Sequence, residues 1–249
     1  MKTSGLVIVI TGGCSGLGLT TAAYLISLGN KVAVIDWMTD VTLTFPSTNF
    51  MKVKANVTIR KEIEKAFDDI IAKFGRVDVV LNCAGVISVG LMHSRQKRFE
   101  ATEEEFLKVL RINVIGTFLV NKVYIERRMK YDWSQGLIIN ISAIAADEGQ
   151  NGQVIFAASK AAITSMTLPM ARELGKYGIR VVCVMPGFFI TNMTHGVSQK
   201  AVKSIVDSSC LNRYGTSIEF SQFIKAIIEN DYLTGCNLRL DGGTRLPKL

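Results

Sequence analysis

The sequence predicts an α/β fold: one domain over residues 1–249, a doubly wound parallel sheet with helices on both faces. Three observations carry this. Strand and helix patterns alternate from end to end, the central strand patterns are continuous apolar runs, and no linker, repeat or low-complexity stretch interrupts the series. Alternation of this kind signals a parallel sheet, and strands buried on both faces are uniformly hydrophobic.

The elements follow in order. Leu6–Ile10 is an unbroken apolar run and predicts the first strand. A helix from about Gly16 to Leu28 is stopped by Gly29 and Asn30, and Lys31–Asp36 is the second strand. Arg60–Phe74 is helical with Gly75 at its end, and Val77–Asn82 is a strand. Thr102 stands three residues before Glu105, a capping-box spacing that starts a long helical stretch ending near Tyr131. Leu137–Ile141, Gln153–Tyr177, Ile179–Met185, Ile218–Glu229 and Asn237–Leu240 complete the alternation. Within 153–177 the apolar Val154, Ile155, Ile163, Met166 and Met170 exceed what one buried face requires, which predicts association between copies.

Composition narrows the functional classes. No uninterrupted apolar run reaches the roughly 18–20 residues of a bilayer span. The first strand begins near Leu6, so a signal peptide and secretion are not expected. Five widely spaced cysteines without a CxxC argue for free thiols in a reducing compartment, and with only His93 and His195 a histidine metal site is not expected. The net charge of +8 admits nucleic acid, anionic lipid or phosphate-bearing ligands. Two basic segments contribute: 93–98, containing Arg95, Lys97 and Arg98, and the surface of the long helix at Lys122, Arg127, Arg128 and Lys130. Cations near a helix C-terminus suit the macrodipole, so the second needs no ligand.

The turn after the first strand, Thr11-Gly12-Gly13-Cys14-Ser15-Gly16-Leu17-Gly18, has the spacing of a dinucleotide fingerprint. Gly12 and Gly16 allow a tight turn and close approach to a pyrophosphate, and Gly18 allows close helix packing. The helix N-terminus at Ser15–Leu17 offers amide donors. Asp36 ends the second strand eighteen residues after Gly18, about the interval of a ribose-binding acid. Its charge would repel a 2′-phosphate, and Gly13, Cys14 and Trp37 bring no cation to offset that, so NAD(H) is preferred over NADP(H).

Further along, Asn140-Ile141-Ser142-Ala143 is followed by Gln153–Lys160, with Phe156 four residues before Lys160 and Ala143 thirteen before Phe156. This frame, with the glycine turn, resembles the short-chain dehydrogenase/reductase family, a Rossmann-type group, over the whole chain. In the family's Ser…Tyr-x-x-x-Lys signature, Ala143 occupies the serine slot and Phe156 the tyrosine slot. The resemblance implies that Asn113 and Lys160 are the retained members of a catalytic group whose tyrosine transfers the proton and whose serine holds the substrate oxygen. It also implies that Cys83, Ala84 and Gly85 lie along the adenine, that Asn56 and Val57 meet its edge, and that Pro186, Gly187 and Thr191 meet the nicotinamide. Glu148-Gly149-Gln150, Met166-Thr167-Leu168-Pro169 and the insertion from Met92 to Ala101 are similar to the family branch acting on 3-hydroxyacyl-CoA or steroid substrates. That branch implies a homotetramer, a mitochondrial matrix address with a cytoplasmic alternative, and protein partners in RNA processing. The expectation is an NAD-binding pseudoenzyme serving as subunit or scaffold. The alternative is a working or slow dehydrogenase using Ser142 or water; Ser159 is the other neighbouring hydroxyl.

Overall fold

The computed structural model describes residues 1–38, 45–190, 203–204 and 206–245. Seven parallel strands form one sheet: β1 (Val7–Thr11), β2 (Lys31–Asp36), β3 (Phe50–Lys54), β4 (Val79–Asn82), β5 (Gly136–Ile141), β6 (Ile179–Pro186) and β7 (Cys236–Leu240), in the order β3-β2-β1-β4-β5-β6-β7. The order reverses between β1 and β4, and in open α/β sheets the crevice at such a switch point binds ligands. α1 (Gly16–Ser27) and α7 (Ser217–Glu229) cover one face. The other is covered by α2 (Arg60–Phe74), α4 (Thr117–Tyr131) and α6 (Val154–Leu174). α3 (Glu103–Leu110) and the short α5 (Ala145–Glu148) complete the helices used below.

Local sequence explains these elements. β1 and β4 are buried at every position, as central strands must be. In α2 the buried Ile63, Ala66, Phe67, Ile70, Ile71 and Phe74 recur at helical spacing, and Gly75 ends the helix at φ 85°. Thr102 Oγ1 accepts from the Glu105 amide at 3.1 Å and starts α3. From there the chain stays helical to Tyr131 through one π-helical segment, Arg111–Gly116, which carries Asn113. Such insertions are frequent at functional sites.

Four expectations change. β3 was not anticipated, because Lys52 and Lys54 break its apolar pattern; they sit on an edge strand, where lysines guard against edge-to-edge pairing. Arg128 is not a surface charge. It shares the buried face of α4 with Val120 and Tyr124, and its Nη1 donates to the Gln135 carbonyl at 2.6 Å. Gly136 makes this room, since a Cβ there would lie 2.5 Å from Tyr124 Oη and 3.0 Å from Arg128 Cζ. Of the rest of the patch, Arg127 pairs with Asp68 at 2.7 Å and Lys122 lies 4.0 Å from Glu126, which also accepts from Arg60 at 2.5 Å.

The third change concerns α6. Ile155 and Ile163 belong to the core and Met166 and Met170 pack against it, so of the expected surplus only Val154 is exposed. The apolar surface instead comprises Val154 and Leu168 on α6 with Phe106, Leu107, Ile115 and Phe118 from the α3–α4 stretch. The fourth is that Val154–Tyr177 has the length and composition of a membrane-crossing helix. Here it lies against β6 with Lys160 buried along it.

Arg128 fills volume that a small residue cannot. Arg128→Ala should cost roughly 2–4 kcal/mol by urea unfolding, whereas Arg128→Met should recover about half of that by refilling the space without a charge.

Candidate functional site

The turn after β1 and the turn after β4 touch at the switch point. A Cβ on Gly12, which has φ +65°, would stand 2.8 Å from Ala84 Cα. Thr11 locks the pair: its carbonyl accepts from the Cys83 amide at 3.1 Å and its hydroxyl from the Ala84 amide at 3.2 Å. A Cβ on Gly18 would collide with the Gly12 carbonyl, so Gly18 lets α1 pack closely on the backbone that follows β1. Gly13, not singled out by the sequence, is equally constrained, with Val34 Cγ1 2.5 Å from its would-be Cβ. Gly16 opens α1 at φ +49°. Ser15 is the exposed N-cap without a side-chain cap bond, and Leu17 packs toward the core. The first amides of α1 therefore face the turn as anion donors.

Asp36 is buried at the end of β2. Its Oδ2 accepts from the Cys14 amide at 3.1 Å and its Oδ1 from the Met38 amide at 3.2 Å. Each oxygen keeps acceptor capacity for a ribose hydroxyl. Burial, then Asp36, push the Cys14 thiol up to about 11, with Lys52 opposing. Lys52 is thus a cation near this corner that the sequence reading omitted, because β3 itself was missed. Asn56 Oδ1 accepts twice from Thr58, at 2.9 and 2.8 Å, in a turn leading to α2, so its amide is engaged locally. Val57 is buried against Gly116. Gly187, after Pro186, donates to the Leu240 carbonyl, and a Cβ on it would stand 2.8 Å from Asp241 Cα. Thr191 and His195 lie outside the described residues.

Asn113, Phe156, Ser159 and Lys160 come together beside Gly85. Asn113 Oδ1 accepts from the Val86 amide at 2.8 Å; its Nδ2 donates to the Val86 carbonyl at 2.9 Å and to Ser159 Oγ at 3.0 Å. Ser159 Oγ donates to the Phe156 carbonyl at 2.7 Å. Ser142 Oγ donates to the Lys160 carbonyl at 2.8 Å, which ties the end of β5 to α6. Ala143 follows as the chain turns into α5, its carbonyl accepting from the Ala146 amide. Both nearby serine hydroxyls are therefore committed to backbone.

Lys160 Nζ donates to the Ile141 carbonyl at 3.0 Å, lies 5.7 Å from the centre of the Phe156 ring, and would be 3.4 Å from a Cβ on Gly85. Burial pushes its pKa down to about 8; only the Cys183 and Cys83 thiols oppose this, and burial raises those to about 11 and about 12. Among the described residues, no carboxylate acts on this cation. A dinucleotide fits this set: a glycine cradle whose space side chains would fill, a buried acid at one end and a buried amine at the other.

Beneath the cleft lies a cluster the sequence reading passed over. Asn82 Nδ2 donates to Asn121 Oδ1 at 2.7 Å and to Asn140 Oδ1 at 2.9 Å, and Asn121 Nδ2 donates to Asn140 Oδ1 at 3.1 Å. These buried amides join α4 to the ends of β4 and β5, and asparagines closing two apolar strands were the available signal.

Known proteins match this architecture. The sequence pattern described as short chain dehydrogenase matches residues 6–202. The chain is 38% identical to rat 3-hydroxyacyl-CoA dehydrogenase type-2 and 37% to its human counterpart, each over 97% of this chain and 96% of the relative. It is 32% identical to a 3-oxoacyl-[acyl-carrier-protein] reductase of Buchnera aphidicola, over 99% of this chain and all of that protein. A crystal structure of a short chain dehydrogenase from Bacillus anthracis superposes with TM-score 0.86 at 26% identity, covering 97% of both chains.

Lys160 makes a pH prediction. Its folded pKa of about 8 lies below the ordinary 10.5, so between those values the unfolded chain binds more protons and folding stability rises with pH. Ligand-free Lys160→Met should outlast the unsubstituted chain in thermal unfolding near neutral pH. That advantage should shrink across the same window.

Proposed function

The chain belongs to the short-chain dehydrogenases, and we propose that within that family it binds NAD(H) in preference to NADP(H) without efficient turnover, serving as a subunit or scaffold. The observation that carries this is the pairing of a complete nucleotide cradle with a cleft whose hydroxyls are missing or turned inward. When bound, the dinucleotide would supply or accept hydride. Gly12, Gly16 and the α1 amides would hold its pyrophosphate, Asp36 the adenosine ribose and Lys160 the nicotinamide ribose. Phe156 has the shape of tyrosine but no titratable proton, and positioned acid–base groups are worth about 10²–10⁴ in rate. Ala143 offers no donor to a developing oxyanion, a loss on the order of 10²–10³. The two losses need not multiply, because such groups act as a unit.

The alternative, a slow dehydrogenase of 3-hydroxyacyl-CoA or hydroxysteroids, draws support from the retained Asn113 and Lys160. Ser142 is poorly suited to rescue it, since its hydroxyl already holds the Lys160 carbonyl. The scaffold reading extends to a homotetramer joined through the exposed apolar residues of α6 and the α3–α4 stretch, and to a mitochondrial matrix address. A role beside RNA-processing proteins would rest on protein contacts, since Arg128 is buried and Arg127 is paired with Asp68.

Two measurements test the proposal. A ligand bound only by the folded state stabilises it by about 2.7 kcal/mol at a hundred times its Kd. Saturating NADH should raise the melting temperature by roughly 5–10 °C, NADPH should do less, and Asp36→Ala should narrow the difference. A flat response to both nucleotides would refute cofactor binding. Separately, restoring the hydroxyls with Ala143→Ser and Phe156→Tyr should raise NADH oxidation by acetoacetyl-CoA by about 10²-fold or more. If the unsubstituted chain already turns over at the restored rate, the pseudoenzyme reading fails.

A further inference from the structure

We infer that the cleft selects acyl thioesters whose third carbon bears no oxygen, the reverse of the preference implied by its relatives' names. The inference rests on the proposed function, in that Ala143 and Phe156 are taken to face the ligand carbon that relatives hold by its oxygen. The relatives are named for 3-hydroxyacyl and 3-oxoacyl groups, so in them that carbon is oxygenated.

Among the described residues, the hydroxyl and amide side chains beside that position already hold other partners. Ser142 Oγ is spent on the Lys160 carbonyl at 2.8 Å, and Ser159 Oγ on the Phe156 carbonyl at 2.7 Å. The Asn113 amide is spent on Val86 and Ser159. Lys160 gives one donor to the Ile141 carbonyl, and the bound dinucleotide would take the others. A carbonyl placed there would find the Ser142, Ser159 and Asn113 donors already engaged, whereas a methylene needs none. Deleting two hydroxyls therefore changes what the cleft binds as well as what it can catalyse.

The approach to the cleft suits a thioester of coenzyme A. Segment 86–92 is held by the Asn113 bonds at Val86 and by the Gly90 amide donating to the Gly152 carbonyl at 2.8 Å, which lays it across the start of α6. It presents Val89 and Met92, each 73% exposed, near the exposed Val154. Beyond it Arg95, Lys97 and Arg98 are exposed and would face the coenzyme's phosphates.

Butyryl-CoA and acetoacetyl-CoA have the same chain length and differ only in the oxygen on carbon 3. Calorimetric titration with saturating NAD⁺ present, where neither can react, should give butyryl-CoA the tighter binding by about tenfold. In the Ala143→Ser, Phe156→Tyr variant the order should reverse. Equal or tighter acetoacetyl-CoA binding by the unsubstituted chain overturns the inference, as does a preference that persists in a folded variant. Binding of neither thioester also overturns it. NADH titration separates the causes: if NADH binds while the acyl preference is absent, the cofactor reading stands and only this inference falls.

Discussion

The contact between Gly12 and Ala84 is the constraint on which the rest of this structure depends. It brings the ends of β1 and β4 together where the strand order reverses, and only there do loops from the two halves of the sheet diverge enough to leave a crevice. A side chain at Gly12 would separate the two turns by entering the Ala84 backbone. Thr11 closes the junction with two hydrogen bonds, and Asn82, the last residue of β4, carries it on to Asn121 and Asn140. The cradle and the cleft are thus two sides of one packed junction. The cradle can persist for reasons of folding alone, which is why glycines by themselves do not establish cofactor binding.

Each hydroxyl and amide around the cleft has a second duty in the backbone. Ser142 joins β5 to α6, Asn113 holds the strand-to-loop exit at Val86, and Ser159 links that asparagine to the first turn of α6. Moving any of them toward a substrate would expose a buried carbonyl or amide, at a cost of about 1–3 kcal/mol. The site is therefore rigid in a sense that disfavours rescue by a neighbour. The π-helical segment at Arg111–Gly116 belongs to the same arrangement, since it carries Asn113.

What was legible in the sequence follows from which forces act locally. The central strands were plain because burial on both faces leaves only apolar residues, and the cradle was plain because its glycines answer local steric demands. β3 was not, because an edge strand tolerates Lys52 and Lys54. Arg128 misled because a charge at a helix end has a ready surface explanation, while the space that buries it is made by Gly136, a residue of another element. Met166 and Met170 misled in the opposite direction: whether a methionine fills the core or the surface depends on what packs over it. The vacant hydroxyl positions were visible from spacing. That the Ser142 hydroxyl already holds the Lys160 carbonyl was not, because that partner is 18 residues away.

Phenylalanine and alanine answer nearly the same packing demands as tyrosine and serine. Each is its counterpart less one oxygen, so neither leaves a cavity large enough to disturb α6 or α5. Lys160 is the residue that should have suffered. Burial draws its pKa down to about 8, and among the described residues the Cys183 and Cys83 thiols are the groups that oppose this. Replacement by an apolar side chain would relieve that burden at once. Lys160 keeps donors beyond the one it gives to the Ile141 carbonyl, and each needs an acceptor in a buried setting. Under the proposed reading, a ribose hydroxyl delivered by the Gly12–Asp36 cradle would be that acceptor and would offset the cost of burying the amine.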